Sequence, residues 1–132
     1  MKKILVIEDE LAYVELLKDK LKDGYQVLDA QNGKQGLAMA KKHQPDLILL
    51  DNIMPEMDGL TMLAELRKTP YGETAKVIVL TNLEANDTII GQTVKLQPIY
   101  YFVKSDTQLD TLLAKIEELL GEKEIDSPLK TT

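Results

Sequence analysis

Three carboxylates, a hydroxyl and an ammonium stand directly behind four short apolar runs. Glu8 and Asp9 follow Ile4-Leu5-Val6-Ile7, and Asp51 follows Leu47-Ile48-Leu49-Leu50. Thr81 follows Val77-Ile78-Val79-Leu80, and Lys104 follows Tyr101-Phe102-Val103. If these runs are parallel strands, all five side chains collect along one edge of a sheet. Open parallel α/β sheets bind ligands at the carboxyl ends of their strands. Converging carboxylates repel and raise one another's pKa unless a cation offsets them. A hard, oxygen-seeking ion does so, and Mg2+ suits one or two carboxylates plus water and phosphate. Carboxylate nucleophile, Mg2+, ammonium and hydroxyl are the parts that phosphoryl transfer requires. Each acid alone has a plainer use, Glu8 and Asp9 as solvated carboxylates at a helix N-terminus and Asp51 as a helix-side acid.

The elements that would position these residues alternate along the chain. The first apolar run leads into a helical period from Leu11 to Leu21, stopped by Asp23-Gly24. A second strand is expected over 25–30, and Asn32-Gly33 turns into a helix over 34–42, which ends before Pro45. The third strand, 47–50, is followed by a loop punctuated by Met54-Pro55 and Asp58-Gly59. A helix over 60–68, a strand over 76–80, a fourth helix over 84–96 and a strand over 100–103 come next. The fourth helix rests on poor formers such as Thr88, Ile89, Gly91 and Thr93, so tertiary packing has to hold it. Ser105 and Gln108 have capping-box spacing for a last helix that ends near Leu120.

Strict βα alternation predicts a flavodoxin-like, doubly wound α/β domain: a five-stranded parallel sheet with five helices on its two faces. The fully apolar third and fourth runs suit strands buried on both faces. The second strand offers the site nothing obvious and takes an edge, which gives the order 2-1-3-4-5. Residues 1–120 make one domain, and 121–132 read as a polar tail or truncated linker.

Bulk properties exclude several functions. The chain has 132 residues, a net charge of −6 and no cysteine. The acidic balance argues against a nucleic-acid surface. Without cysteine there is no disulfide, thiol catalysis or thiolate metal site. Four apolar residues before Glu8 are too few for a signal-peptide core, and no run reaches membrane-spanning length. A cytoplasmic protein is the expectation. His43, behind Lys41-Lys42 at a helix end, suits the helix dipole rather than catalysis. Met54, Met57 and Met62 read as packing residues.

The segment Asp46-Leu47-Ile48-Leu49-Leu50-Asp51-Asn52-Ile53-Met54-Pro55-Glu56-Met57-Asp58-Gly59 closely resembles the phosphorylation loop of two-component response regulator receiver domains. With the acidic pair, Thr81 and Lys104 at the matching strand ends, the resemblance to that family, the chemotaxis regulators among it, covers about residues 3–120. It implies that Asp51 accepts a phosphoryl group from a sensor histidine kinase or a histidine phosphotransfer protein. It implies direct Mg2+ ligation by Asp9, Asp51 and the Ile53 carbonyl, with Glu8 acting through water. Thr81 would bond a phosphoryl oxygen and Lys104 would pair with it. Tyr101 matches the family's switch aromatic, which turns inward as Thr81 moves, and the fourth helix and fifth strand would then present a surface to an output partner. Such a domain catalyses only its own phosphorylation and slow dephosphorylation. A weak homodimer stays open.

Three places depart from the family pattern. Asn82 stands where a small residue is usual, Ser105 where proline with a cis bond is usual, and Gln97-Pro98 where small residues are common. A non-proline cis bond costs about 3–4 kcal/mol, so a trans bond and a changed loop are expected after Lys104. By resemblance, Ile53 and Leu83 flank the approach of water to a phosphorylated Asp51. Neither can hydrogen-bond a water, which predicts slow self-dephosphorylation. The alternative function is a receiver-like interaction module that works without phosphorylation. A Mg2+-dependent phosphohydrolase with an Asp nucleophile would need an acid where Ile53 stands. In a flavodoxin-like cofactor binder, Glu8 and Asp9 would repel the cofactor phosphate.

Overall fold

Five strands form one parallel sheet, β1 (Lys3–Ile7), β2 (Gln26–Ala30), β3 (Leu47–Asp51), β4 (Val77–Thr81) and β5 (Tyr100–Val103), in the order β2-β1-β3-β4-β5. The computed structural model describes residues 1–51, 57–81, 95–104 and 109–121, with Thr81 and Val103 described by backbone alone. Among the described residues there are four helices: α1 (Leu11–Leu21), α2 (Gly33–His43), α3 (Gly59–Arg67) and α4 (Leu109–Leu120). The helix expected over 84–96 lies outside them except for its last two residues.

Side chains alternate across a strand, and here the alternation builds two cores. Ile4, Val6, Leu47, Leu49, Ile78 and Leu80 point to the face covered by α1 and α4, where they meet Val14, Leu17, Leu112 and Ile116. Leu5, Ile7, Ile48, Leu50, Val77 and Val79 point to the opposite face and meet Ala40 of α2 and Met62, Leu63 and Leu66 of α3. Burial of β1 and β3 on both faces explains why they read as unbroken apolar runs. Edge strand β2 is half-buried along most of its length, and its Asp29 accepts a hydrogen bond from Lys18 of α1 at 2.8 Å.

Caps fix where the helices enter. Asn32 accepts from the Gln35 N–H at 2.7 Å to start α2, and Asp58 accepts from the Thr61 N–H at 2.8 Å to start α3. Gly33 donates its N–H to the Met57 carbonyl at 3.0 Å, and a Cβ on Gly33 would lie 2.2 Å from that oxygen. Only glycine lets the start of α2 come this close to the segment that follows Asp51. Gly121, at φ +80, ends α4.

The guanidinium of Arg67 joins three parts of the chain. It donates to the carbonyls of Gly72 at 2.8 Å and Ala75 at 2.6 Å, ahead of β4. It also donates to those of Leu96 at 2.9 Å and Gln97 at 3.0 Å, ahead of β5. Gln97 has φ 53, an uncommon backbone state for a residue with a side chain, and its carbonyl bond to Arg67 helps to hold it there. Tyr71 donates its hydroxyl to the Pro45 carbonyl at 2.6 Å. Burial, then Asp46, pushes its pKa up to about 12, with Arg67 opposing.

Candidate functional site

Glu8 sits one residue past β1 and stays in register, because its N–H donates to the Ala30 carbonyl of β2 at 2.9 Å. Asp51 is the last residue of β3. Both continue the alternation that faces α1 and α4, and so does Lys104, two residues past Phe102. Strand order puts β3 at the centre of the sheet with β1 beside it, and β4 separates β3 from β5. Lys104, just past the end of β5, reaches back along this edge and pairs with Glu8 Oε1.

One carboxylate oxygen from each of Glu8, Asp9 and Asp51 lies within 4.8 Å of the others. Glu8 and Asp51 are buried, at 3% and 8% exposure, whereas Asp9 is exposed. Glu8 Oε1 accepts from the Lys104 ammonium and Oε2 accepts from the Glu10 N–H at 3.1 Å. Among the described residues, three acids and one ammonium meet here, with carboxylates the more numerous. An oxygen-only donor set rich in carboxylates fits a hard divalent cation such as Mg2+, which is held by few carboxylates and keeps much of its water.

Tyr13 of α1 completes the wall. The Lys104 Nζ lies 4.4 Å from the centre of its ring. The Tyr13 phenol is pushed above its ordinary pKa by burial first, then by Glu8, Glu10 and Asp51. It stays neutral, as a ring beside an acidic cluster should.

The structure therefore unites Glu8, Asp9, Asp51 and Lys104 as their strand-end positions suggest. The Thr81 backbone pairs with Val103 at the same edge, one residue beyond the Asp51–Leu80 pair. Ile53, Met54, Asn82, Leu83 and Ser105 lie outside the described residues, as does the bond after Lys104. Tyr101 faces the α2 and α3 side, half-buried against that core. Its hydroxyl is buried without a hydrogen-bond partner among the described residues, and burial raises its pKa. His43 is half-buried in the last turn of α2, Met62 is core, and Met57 packs against the core. The contacts of Tyr13 with Lys104, of Arg67 with four carbonyls and of the Ala30 carbonyl with Glu8 are ones that residue type and spacing alone do not reveal. The one available signal for Tyr13 is an aromatic on the core-facing stripe of the first turn behind Glu8 and Asp9.

A family model described as the response regulator receiver domain matches residues 4–117. Among curated proteins, the response regulator PleD of Caulobacter vibrioides is 42% identical over 91 residues, which are 67% of this chain and 20% of PleD. The alkaline phosphatase synthesis transcriptional regulatory protein PhoP of Bacillus subtilis is 32% identical over 129 residues, 96% of this chain and 52% of PhoP. The chain thus spans from a fifth to about half of the length of these two relatives. Among solved structures, the response regulator TrrA of Thermotoga maritima, in complex with Mg2+-BeF, superposes with a TM-score of 0.77 at 36% identity. That superposition covers 91% of this chain and all of TrrA. Among the described residues no helix is long and apolar enough to cross a membrane.

Proposed function

The chain belongs to the response regulator receiver family of two-component systems, and we propose that it is a phosphorylation-controlled switch with Asp51 as the acceptor. The observation that carries this is the convergence of Glu8, Asp9 and Asp51 within 4.8 Å beside a buried Lys104. TrrA, a relative at 36% identity, was captured with Mg2+-BeF, and that lends support to Mg2+ as the cofactor here.

Asp51 is the nucleophile. One of its carboxylate oxygens bonds to phosphorus as the bond between phosphorus and the donor's imidazole nitrogen breaks, and the imidazole leaves. The donor is a phosphohistidine on a sensor histidine kinase or a histidine phosphotransfer protein. Burial at the end of a central strand fixes the direction of attack, and positioning of this kind is a large part of catalysis. Asp9, Asp51 and the Ile53 carbonyl would hold Mg2+, which when bound neutralises charge on the phosphoryl oxygens. Both Glu8 oxygens already accept hydrogen bonds within the protein, which suits a role through water. Lys104 pairs with the phosphoryl group through its other N–H donors, and Thr81 donates to one phosphoryl oxygen. The chain promotes only its own phosphorylation and slow dephosphorylation.

Tyr101 and Thr81 are the switch. The Tyr101 hydroxyl, without a partner among the described residues, supports a side chain whose position a small free energy can change. Segment 82–105, with its poor helix formers, then presents a changed surface to an output partner. Phosphorylation should alter hydrogen exchange mainly over 82–105. Changes confined to α1 and α2 would contradict the switch. The acceptor assignment is tested with phosphoramidate as donor and intact mass as readout. One phosphoryl group should add in Mg2+, and Asp9→Ala should lose both Mg2+ binding and phosphorylation. Full phosphorylation of Asp9→Ala without a divalent cation would overturn the assignment.

A further inference from the structure

We propose that Tyr13 is a positioning residue for Lys104. Its ring holds the ammonium at the edge of the acidic cluster and leaves N–H donors free for a phosphoryl group. This rests on the function proposed for Lys104 above.

The Lys104 Nζ lies 4.4 Å from the ring centre, well inside the roughly 6 Å over which a cation is attracted to an aromatic face. The Lys104 side chain is only 7% exposed. Such a site, poor in water, strengthens the attraction. A lysine ammonium has three N–H donors and no acceptor. Glu8 Oε1 takes one of them. A second carboxylate in place of Tyr13 would take another and would compete with an incoming phosphoryl oxygen. An aliphatic side chain would leave the charge facing apolar surface, a costly arrangement. An aromatic face avoids both, because it attracts the charge without accepting a directed hydrogen bond.

The plainer role for Tyr13 is core filling, since its ring also packs against the α1 and α4 core. Leucine would satisfy that role. The two roles therefore separate when leucine and phenylalanine are compared. α1 anchors the ring independently of Lys104, through buried Val14, Leu17 and Leu21, so ring and ammonium arrive from opposite ends of the chain and meet only in the folded protein.

The test uses the full chain with phosphoramidate and Mg2+. Tyr13→Leu should slow phosphorylation by about five- to thirtyfold, the rate equivalent of a partly to fully desolvated cation–π contact. Tyr13→Phe should restore most of the rate. In a Lys104→Met background, Tyr13→Leu should add little. A second readout does not depend on activity. The ε-methylene protons of Lys104 should show an upfield ring-current shift by NMR, lost in Tyr13→Leu and kept in Tyr13→Phe. If Lys104→Met slows the reaction and Tyr13→Leu does not, the role of Tyr13 is overturned and the receiver assignment stands. If Lys104→Met is as fast as the parent protein, the ammonium has no part in transfer, and the functions given to Lys104 and Tyr13 fall together. If Tyr13→Leu and Tyr13→Phe slow the reaction equally while the ring-current shift survives in Tyr13→Phe, the ring is not what matters, and the proposal fails.

Discussion

Replacing Lys104 with methionine should weaken the fold without Mg2+ and tighten Mg2+ binding, because the ammonium and the ion draw on the same acids. Glu8 and Lys104 expose only 3% and 7% of their side chains, so their pair is out of bulk water. Removing one member of such a pair costs about 3–5 kcal/mol, because the other charge stays buried and uncompensated. Asp9 and Asp51, with oxygens within 4.8 Å of a Glu8 oxygen, add repulsion. A loss of ~3 kcal/mol is therefore expected in the Mg2+-free protein, a large part of the 5–15 kcal/mol typical of a domain. The effect on the ion has the opposite sign. An ammonium and a divalent ion drawn to the same acids repel one another, by ~1 kcal/mol or more even at water-like screening and by several times that at an effective dielectric of about 20. Even the lower end makes Mg2+ binding about fivefold to tenfold tighter in the variant. Mg2+ at about 100 times its dissociation constant then returns ~2.7 kcal/mol of stability. Urea unfolding with and without Mg2+, beside a calorimetric Mg2+ titration, measures both effects. A variant as stable as the parent in the absence of Mg2+, with no gain in Mg2+ affinity, would show that Lys104 and the ion do not share this cluster.

Arg67→Met should cost about 2–4 kcal/mol in urea unfolding, because four carbonyls lose a charged donor; a loss under ~1 kcal/mol would mean that water replaces the guanidinium without penalty. Tyr71, with its pKa near 12 in the folded protein and 10.0 as the ordinary value, contributes stability in full below pH 10. That contribution should fall as pH rises from 10 to 12, since the unfolded chain releases the proton first. A late phase in the phenolate absorbance titration should report it and vanish in Tyr71→Phe; persistence of the phase in that variant would assign it elsewhere. The double change Ile53→Asn with Leu83→Glu should shorten the phosphorylated lifetime by about tenfold or more, by giving an attacking water polar neighbours. An unchanged or longer lifetime would mean that these side chains do not shield the phosphoryl group.

The sheet was legible because its strands are buried on both faces, which leaves unbroken apolar runs such as Leu47 to Leu50. The meeting of Glu8, Asp9, Asp51 and Lys104 was legible because parallel strands end at one edge. What the sequence hides is pairing over distance. Lys104 and Glu8 are 96 residues apart, and their ion pair exists only because β5 and β1 share a sheet. Lys104 reads from the family pattern as a partner for phosphate, yet in the structure it is held by Glu8 and Tyr13. Tyr13 falls on a helical stripe, where an aromatic reads as core. Arg67 sits in the last turn of α3, where a cation suits the helix dipole, and its bonds to carbonyls as far as 30 residues away depend on packing alone. Strand ends shifted by one residue for a simple reason: Asp51 and Thr81 still pair through their backbones although their side chains are polar.

The central claim is that Asp51 carries the phosphoryl group. An aspartyl phosphate is an acyl phosphate, and borohydride reduces it to homoserine, which marks the residue permanently. The chain should be phosphorylated with phosphoramidate in Mg2+, reduced with borohydride, cleaved and sequenced by mass spectrometry. The account predicts homoserine at position 51, only when both donor and Mg2+ are present, and none anywhere in Asp51→Asn. Homoserine at position 9, or equal labelling of the parent and Asp51→Asn proteins, would contradict it.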